Sequence, residues 1–123
     1  MDTYRLVMAL NNMKCVYNES KDLNKLNETY DFYKKDTPEW KFSIENWYKY
    51  GLKFIEVFNV FPPVDNHSLY FGCMMLDLFK LNDLLCVPKD VSLKEFVLKK
   101  FGQKGVDLIE LDLNKEEGLW LIN

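Results

Sequence analysis

The chain of 123 residues contains 48% apolar, 28% charged and 15% aromatic residues and has a net charge of −3 at pH 7. Its length fits one globular domain, 1–123, and five Gly and four Pro are too few for a disordered chain. Three cysteines without a CxxC pair and a single histidine exclude a disulfide framework and a histidine-rich metal site. With no apolar run of ~20 residues and no signal-peptide start, we expect a cytoplasmic protein that does not contact membranes.

The first part of the chain predicts two amphipathic helices. In residues 3–17, Leu6, Leu10, Met13 and Tyr17 recur at the spacing of one helical face. After a break at 18–20, Asp22 is placed to cap a second helix, because its carboxylate can accept from the first backbone N–H groups. The apolar residues of this second helix also share one face: Leu23, Leu26, Tyr30 and Tyr33.

A third helix is predicted after the start signal Thr37-Pro38-Glu39, in which Pro38 suits the first helical position. Its apolar face carries Trp40, Ile44, Trp47 and Tyr48. Gly51 either ends this helix or lies inside a longer one. Residues 52–61 fit a strand by composition and a helix by spacing, and we favour the helix, which Pro62-Pro63 would stop.

Residues 69–85 are apolar almost all round and predict a central helix buried on most sides. Residues 64–68 are then a capping loop before this helix. Gly72 within the predicted helix indicates close approach of a neighbouring helix. Cys15, Cys73 and Cys86 stand among apolar residues, so we expect each to be a buried free thiol.

The C-terminal third predicts one short helix followed by strands. Ser92 and Glu95 form a capping box for a helix that ends near Phe101, with Gly102 as its C-terminal glycine. Residues 106–113 read as a strand, 114–118 as a hairpin loop and 119–122 as the return strand. The expected fold is therefore α+β and mainly α, with four to five helices around a central apolar helix and a C-terminal β-hairpin.

The negative charge is concentrated at the end of the chain. Residues 106–123 hold one lysine, Lys115, against five acids: Asp107, Glu110, Asp112, Glu116 and Glu117. Nucleic acid is bound by clusters of Lys and Arg, so this acidic face favours a basic protein partner instead. Fifteen Lys to one Arg is also unusual for a sequence-specific reader of bases. One lysine cluster favours nucleic acid, but such lysines are usually solvated: Lys89, Lys94, Lys99, Lys100 and Lys104.

No constellation of residues predicts catalysis. His67 is the only histidine, and Asp65, His67 and Ser68 are neighbours in one loop, whereas the members of a catalytic triad converge from separate elements. We therefore expect Asp65 or Asn66 to cap a helix, with His67 exposed in its first turn. The sequence also lacks a phosphate-binding glycine loop and paired metal ligands, so we predict no catalytic residue, no cofactor and no metal.

Aromatic residues supply the last candidate surface. Residues 40–50 contain five aromatic side chains, more than one helix face can bury, so both a core position and a partly exposed binding surface remain open for them. The residues that we predict to contact a partner are Glu110, Asp112, Glu116, Glu117, Trp40 and Trp47.

These features together predict a non-enzymatic inhibitor that binds another protein. The general profile of a small, acidic, aromatic-containing domain is similar to that of bacterial immunity proteins, although no motif is diagnostic. The resemblance implies a cognate toxin, for example a nuclease, whose active site is blocked by the acidic face. Two alternatives remain: another small cytosolic adaptor, regulatory or phage-encoded interaction protein, and an enzyme whose site the sequence does not reveal.

Overall fold

The computed structural model describes residues 2–36 and 41–114 of the chain. Seven helices follow one another in these ranges: α1 (Asp2–Ser20), α2 (Leu23–Asp36), α3 (Lys41–Phe58), α4 (Asn66–Tyr70), α5 (Leu78–Leu85), α6 (Leu93–Phe101) and α7 (Gln103–Glu110). An isolated antiparallel bridge between Val64 and Leu76 is the β pairing found there. The described part of the chain is therefore all-α, and the predicted α+β class is wrong.

Helix α3 is the centre of the fold. Its apolar face is buried along the whole described length, through Ile44, Trp47, Tyr50, Phe54 and Phe58. Helices α1, α2 and α7 all pack against it. The helix therefore runs through Gly51 to Phe58, as the helical interpretation of this ambiguous stretch predicted.

Gly51 is required because Phe61 packs directly on the helix backbone. A Cβ atom at this position would lie 2.8 Å from Cδ1 and 2.9 Å from Cζ of the Phe61 ring, too close for any side chain. The glycine therefore lets the residues after α3 fold back onto it, where Pro62 and Pro63 are also buried.

The first two helices form as their spacing predicts, although α1 continues through the predicted break at 18–20 and Leu23 of α2 is half exposed. Leu10, Met13 and Tyr17 of α1 are buried in the core, and α1 packs against α2 and α4 as well as α3. Asp22 begins α2 because its Oδ1 accepts from the backbone N–H of Asn24 at 2.9 Å. Tyr30 of α2 stacks on Tyr48 of α3 with ring centroids 4.0 Å apart, which joins the two helices.

The predicted β-hairpin is contradicted. Most of the segment 106–113, expected to be its first strand, lies in α7, and the return strand 119–122 lies outside the described residues. Helix α7 pairs with α6, where a Cβ at Gly105 would lie 2.7 Å from Val97. The β-branched and apolar residues of this stretch are compatible with the spacing of a strand and with that of a helix. Packing on α3 and α6 selects the helix.

The predicted central helix over 69–85 is also wrong. The segment forms two short helices, α4 and α5, separated by a turn in which Gly72 has a φ of +78°. Helix α5 begins afresh at Asp77, whose Oδ1 accepts from the N–H of Lys80 at 3.0 Å. A Cβ atom at Gly72 would meet no atom of the other described residues within 4 Å, so the role of this glycine is conformational and not the close helix contact that we expected.

The sequence predicts helix-capping residues better than it predicts the burial of the cysteines. Ser92 Oγ accepts from the N–H of Glu95, which is one of the two bonds of the predicted capping box. Asp65 caps α4 with His67 exposed in its first turn, as predicted. The expectation of buried cysteines is wrong: Cys15 and Cys86 are exposed, and Cys73 is partly exposed. Capping depends on neighbours in sequence, whereas burial depends on what packs over each thiol.

Replacing Gly72 with alanine tests the break between α4 and α5. We expect Gly72→Ala to lower the free energy of unfolding by about 1 kcal/mol, because an L residue at a left-handed φ is strained. Chemical denaturation measures this change. In a continuous helix over 69–85 the same substitution would instead stabilise by about 1 kcal/mol.

Gly72→Asn is the matched control, because asparagine adopts left-handed φ values more readily than alanine. It should cost less stability than Gly72→Ala. A stabilising effect of alanine would contradict the observed turn.

Candidate functional site

The segment after α7 separates two surface grooves. The first groove lies between α7 and the C-terminal half of α3 and has a volume of about 680 Å³. The second groove adjoins the loop before α5 and has a volume of about 360 Å³. Both are lined by Glu110, Leu111 and Asp112. Two of the predicted partner-binding residues thus lie on one wall that is shared by two concave surfaces. We call Glu110 and Asp112 the carboxylate pair.

Glu110 ends α7 on the exposed side of the helix. Its Oε2 lies 3.3 Å from Nζ of Lys94, on the neighbouring helix α6, and both side chains are more than half exposed. An ion pair in solvent contributes little to stability, so replacing Lys94 with a cation of a partner would require little free energy. Glu110 is therefore accessible as a recognition group.

Asp112 organises the end of the described chain. Its Oδ1 accepts from the backbone N–H of Asn114 at 3.0 Å, which forms a local turn. The Asn114 amide in turn accepts from the N–H of Met74 at 2.7 Å and donates to the Met74 carbonyl at 3.4 Å. Asp112 is thus joined through Asn114 to the loop that precedes α5.

Tyr50 forms the link between the core and the grooves. The side chain is 1% exposed, and its hydroxyl donates to the Leu108 carbonyl at 2.8 Å, which fixes α7 against α3. Burial raises the pKa of the Tyr50 phenol above its ordinary value. The wall that carries the carboxylate pair is therefore positioned by a buried neutral hydrogen bond.

The two grooves differ in charge. The first is lined by two lysines as well as four acids, and Nζ of Lys53 lies 3.8 Å from Oε2 of Glu56. The second is lined by apolar and neutral side chains together with the carboxylate pair: Tyr50, Met74, Met75, Leu76, Leu78, Ile109, Leu111, Leu113 and Asn114. Among the described residues, its charged lining consists of the carboxylate pair, so it is the groove that a cationic group would prefer.

The other predicted contact residues do not join this surface. Trp47 is fully buried in the core and is not accessible to a partner, and its indole N–H has no hydrogen-bond partner among the described residues. Trp40, Glu116 and Glu117 lie outside the described residues. The carboxylate pair is therefore the described, exposed part of the predicted set.

Sequence reasoning missed an exposed apolar cluster. Tyr70, Phe71, Met75, Leu78 and Phe79 were assigned to a buried central helix, yet Phe79 is 89% and Phe71 74% exposed. We call these five residues the apolar patch. Gly72 and the capping position Asp77 were the available signals, since both interrupt a helix.

The predicted lysine cluster lies partly around a third groove of about 780 Å³ at α6. Lys100 Nζ lies 5.2 Å from the ring centroid of Phe96, and Lys94 pairs with Glu110. Glu95 also lines this groove, and its negative charge partly offsets the positive charge of the lysines there. We assign no ligand to it, because lysines along an exposed helix face are typical of solvated surface.

Within residues 2–36 and 41–114, no group of three or more His, Cys, Asp and Glu side chains is arranged to hold a metal ion. In the same ranges, none of the helices combines the length and the hydropathy needed to cross a bilayer. No family model, curated protein or solved structure matches the chain.

Removing the Tyr50 hydroxyl tests the link between the core and the grooves. We expect Tyr50→Phe to lower the free energy of unfolding by about 1–2 kcal/mol, because the Leu108 carbonyl loses its partner in a buried site. Because the pKa of Tyr50 is raised in the folded state, its contribution is complete below pH ~10 and is lost as the pH rises further. Stability measured between neutral and alkaline pH should therefore fall less steeply in Tyr50→Phe.

Tyr70→Phe is the control, because Tyr70 is more than half exposed. It should change stability by less than about 0.5 kcal/mol. Equal effects of the two substitutions would contradict a structural role for the Tyr50 hydrogen bond.

Proposed function

We propose that this protein is a non-enzymatic inhibitor that binds a basic protein through its acidic face. In its most concrete form the proposal is a bacterial immunity protein that blocks the active site of a cognate toxin, for example a nuclease. The observation that carries it is the position of the carboxylate pair, exposed on the wall shared by two grooves. A concave, negatively charged surface complements a convex, positively charged one.

The charges act first on the rate of encounter. A nuclease presents Lys and Arg to its substrate, and carboxylates placed like phosphates attract the same cations. Attraction of this kind raises association rates and is screened by salt. The apolar walls of the grooves then supply area that is removed from water after contact. This order of events predicts strong salt dependence of association and weaker salt dependence of dissociation.

The first experiment identifies the partner and measures its binding. The purified protein is used as bait in an extract of its native host at low and at high salt, and each captured protein is tested for direct binding and for loss of its own activity. We expect a basic partner that is inhibited by the protein and that binds less well at high salt. Absence of any inhibited partner at either salt would contradict the proposal.

The carboxylate pair is then tested by substitution. We expect the double variant Glu110→Lys with Asp112→Asn to associate with the partner at least about tenfold more slowly at low salt, because steering is lost. Asparagine at 112 keeps an oxygen that can accept from Asn114, so the turn is retained. Association is followed by stopped flow, and circular dichroism confirms the fold.

Glu19→Lys with Glu28→Gln is the matched control, because it makes the same change in net charge at exposed positions of α1 and α2. It should leave the association rate within about twofold of the wild type, since steering depends on local potential more than on total charge. Equal slowing in both variants would assign the effect to net charge and not to the acidic face.

A further inference from the structure

The apolar patch is unusual in its concentration. Five of the ten large apolar side chains that are exposed in residues 4–35 and 44–114 fall in residues 70–79: Tyr70, Phe71, Met75, Leu78 and Phe79. Exposed apolar residues scattered along a chain are normal, whereas five within the ten residues 70–79 concentrate apolar surface in one short segment, as at an interaction site. The patch therefore requires an explanation that the core does not provide.

Backbone pairing holds the patch in place. The N–H of Asp65 donates to the Met75 carbonyl at 2.8 Å, and the N–H of Asp77 donates to the Pro63 carbonyl at 3.0 Å. Asp77 also caps α5, directly before Leu78 and Phe79. The exposed rings therefore belong to a hydrogen-bonded structure, which reduces the entropy that a partner must remove on binding.

The patch is continuous with the second groove. Met75 and Leu78 belong to both, and each is about half exposed. The carboxylate pair also lines this groove, so apolar area and negative charge meet in one depression. Asp77 and Asp83 also outnumber the one nearby cation, Lys80, along 76–85.

This combination selects one kind of occupant. A second copy would bring the same carboxylates close to one another, and an anionic membrane surface would be repelled by them. We infer that the patch and the second groove bind a cationic amphipathic segment of a partner protein, with its apolar residues on Phe79 and Leu78 and its Lys or Arg residues on the carboxylate pair. The inference builds on the proposed function, because it names the docking surface and the partner chemistry for that binding.

Three synthetic 18-residue peptides serve as probes for the full-length protein. The first is an amphipathic helix of leucine and lysine, the second replaces each leucine with serine, and the third replaces each lysine with glutamate. Fluorescence anisotropy at low salt measures their binding. We expect the first peptide to bind most tightly, the second more weakly and the third not at all.

Substitutions separate the apolar and the charged parts of the surface. Phe79→Ser should weaken binding of the first peptide by about tenfold, as for an exposed aromatic anchor, and leave the second unchanged. Glu110→Gln with Asp112→Asn should weaken both. Phe32→Ser is the matched control, because Phe32 is exposed on α2, and it should change neither.

The outcomes distinguish this inference from the proposed function. If the acidic variant weakens binding and Phe79→Ser does not, the docking surface is wrong while the acidic face stands. If neither has an effect, both proposals fail for this class of partner. Tight binding of the third peptide would overturn the charge assignment.

Three measurements test other occupants of the patch. A dimer in sedimentation equilibrium that is lost in Phe79→Ser would show that a second copy binds it. Phe79-dependent binding to phosphatidylcholine vesicles would show that a lipid surface does. Tighter binding of the first peptide to a variant with Leu119→Ser and Trp120→Ser would assign the patch to the chain's own C-terminal residues. Each of these results would overturn the inference.

Discussion

The burial of one aromatic face of α3 is the constraint on which the rest of the structure depends. Ring contacts follow this face from Trp47 to Tyr50, Phe54 and Phe58, with centroids 4.4–5.8 Å apart, and reach Phe101 of α6 at 4.8 Å. Aromatic side chains bury large areas, and edge or tilted contacts add to that gain. The other helices are arranged by the need to cover this row, so α3 replaces 69–85 as the central helix.

The candidate binding surface is a consequence of how that row is covered. Helix α7 closes over Tyr50, and the hydroxyl of Tyr50 fixes its position through the Leu108 carbonyl. The chain that leaves α7 then carries Glu110 and Asp112 between the two grooves. Core packing thus places the carboxylates on the wall that two concave surfaces share.

The sequence was informative where structure is decided by near neighbours. Helices α1 and α2 and the caps at Asp22, Asp65 and Ser92 form as predicted, because a helix and its cap involve residues only a few positions apart. The apolar face of α1 is buried as predicted, whereas Leu23 on the predicted face of α2 is exposed. The acidic character of the C-terminal region and the candidate Glu110 and Asp112 were also visible, since charge can be counted before any fold is known.

What only the tertiary structure decided was the choice between patterns that are locally equivalent. An apolar run such as 69–85 carries no periodicity that distinguishes a buried helix from two short helices with exposed rings, and the left-handed turn at Gly72 settles it. Likewise, the sequence of residues 106–110 is compatible with a strand and with a helix, and the packing of α7 against α3 and α6 decides for the helix. The sequence by itself determined the helix starts, the spacing of the amphipathic faces and the distribution of charge. The exposure of Phe79 and the burial of Trp47 came from tertiary packing, because burial is a property of the partners that a side chain meets and not of the side chain alone.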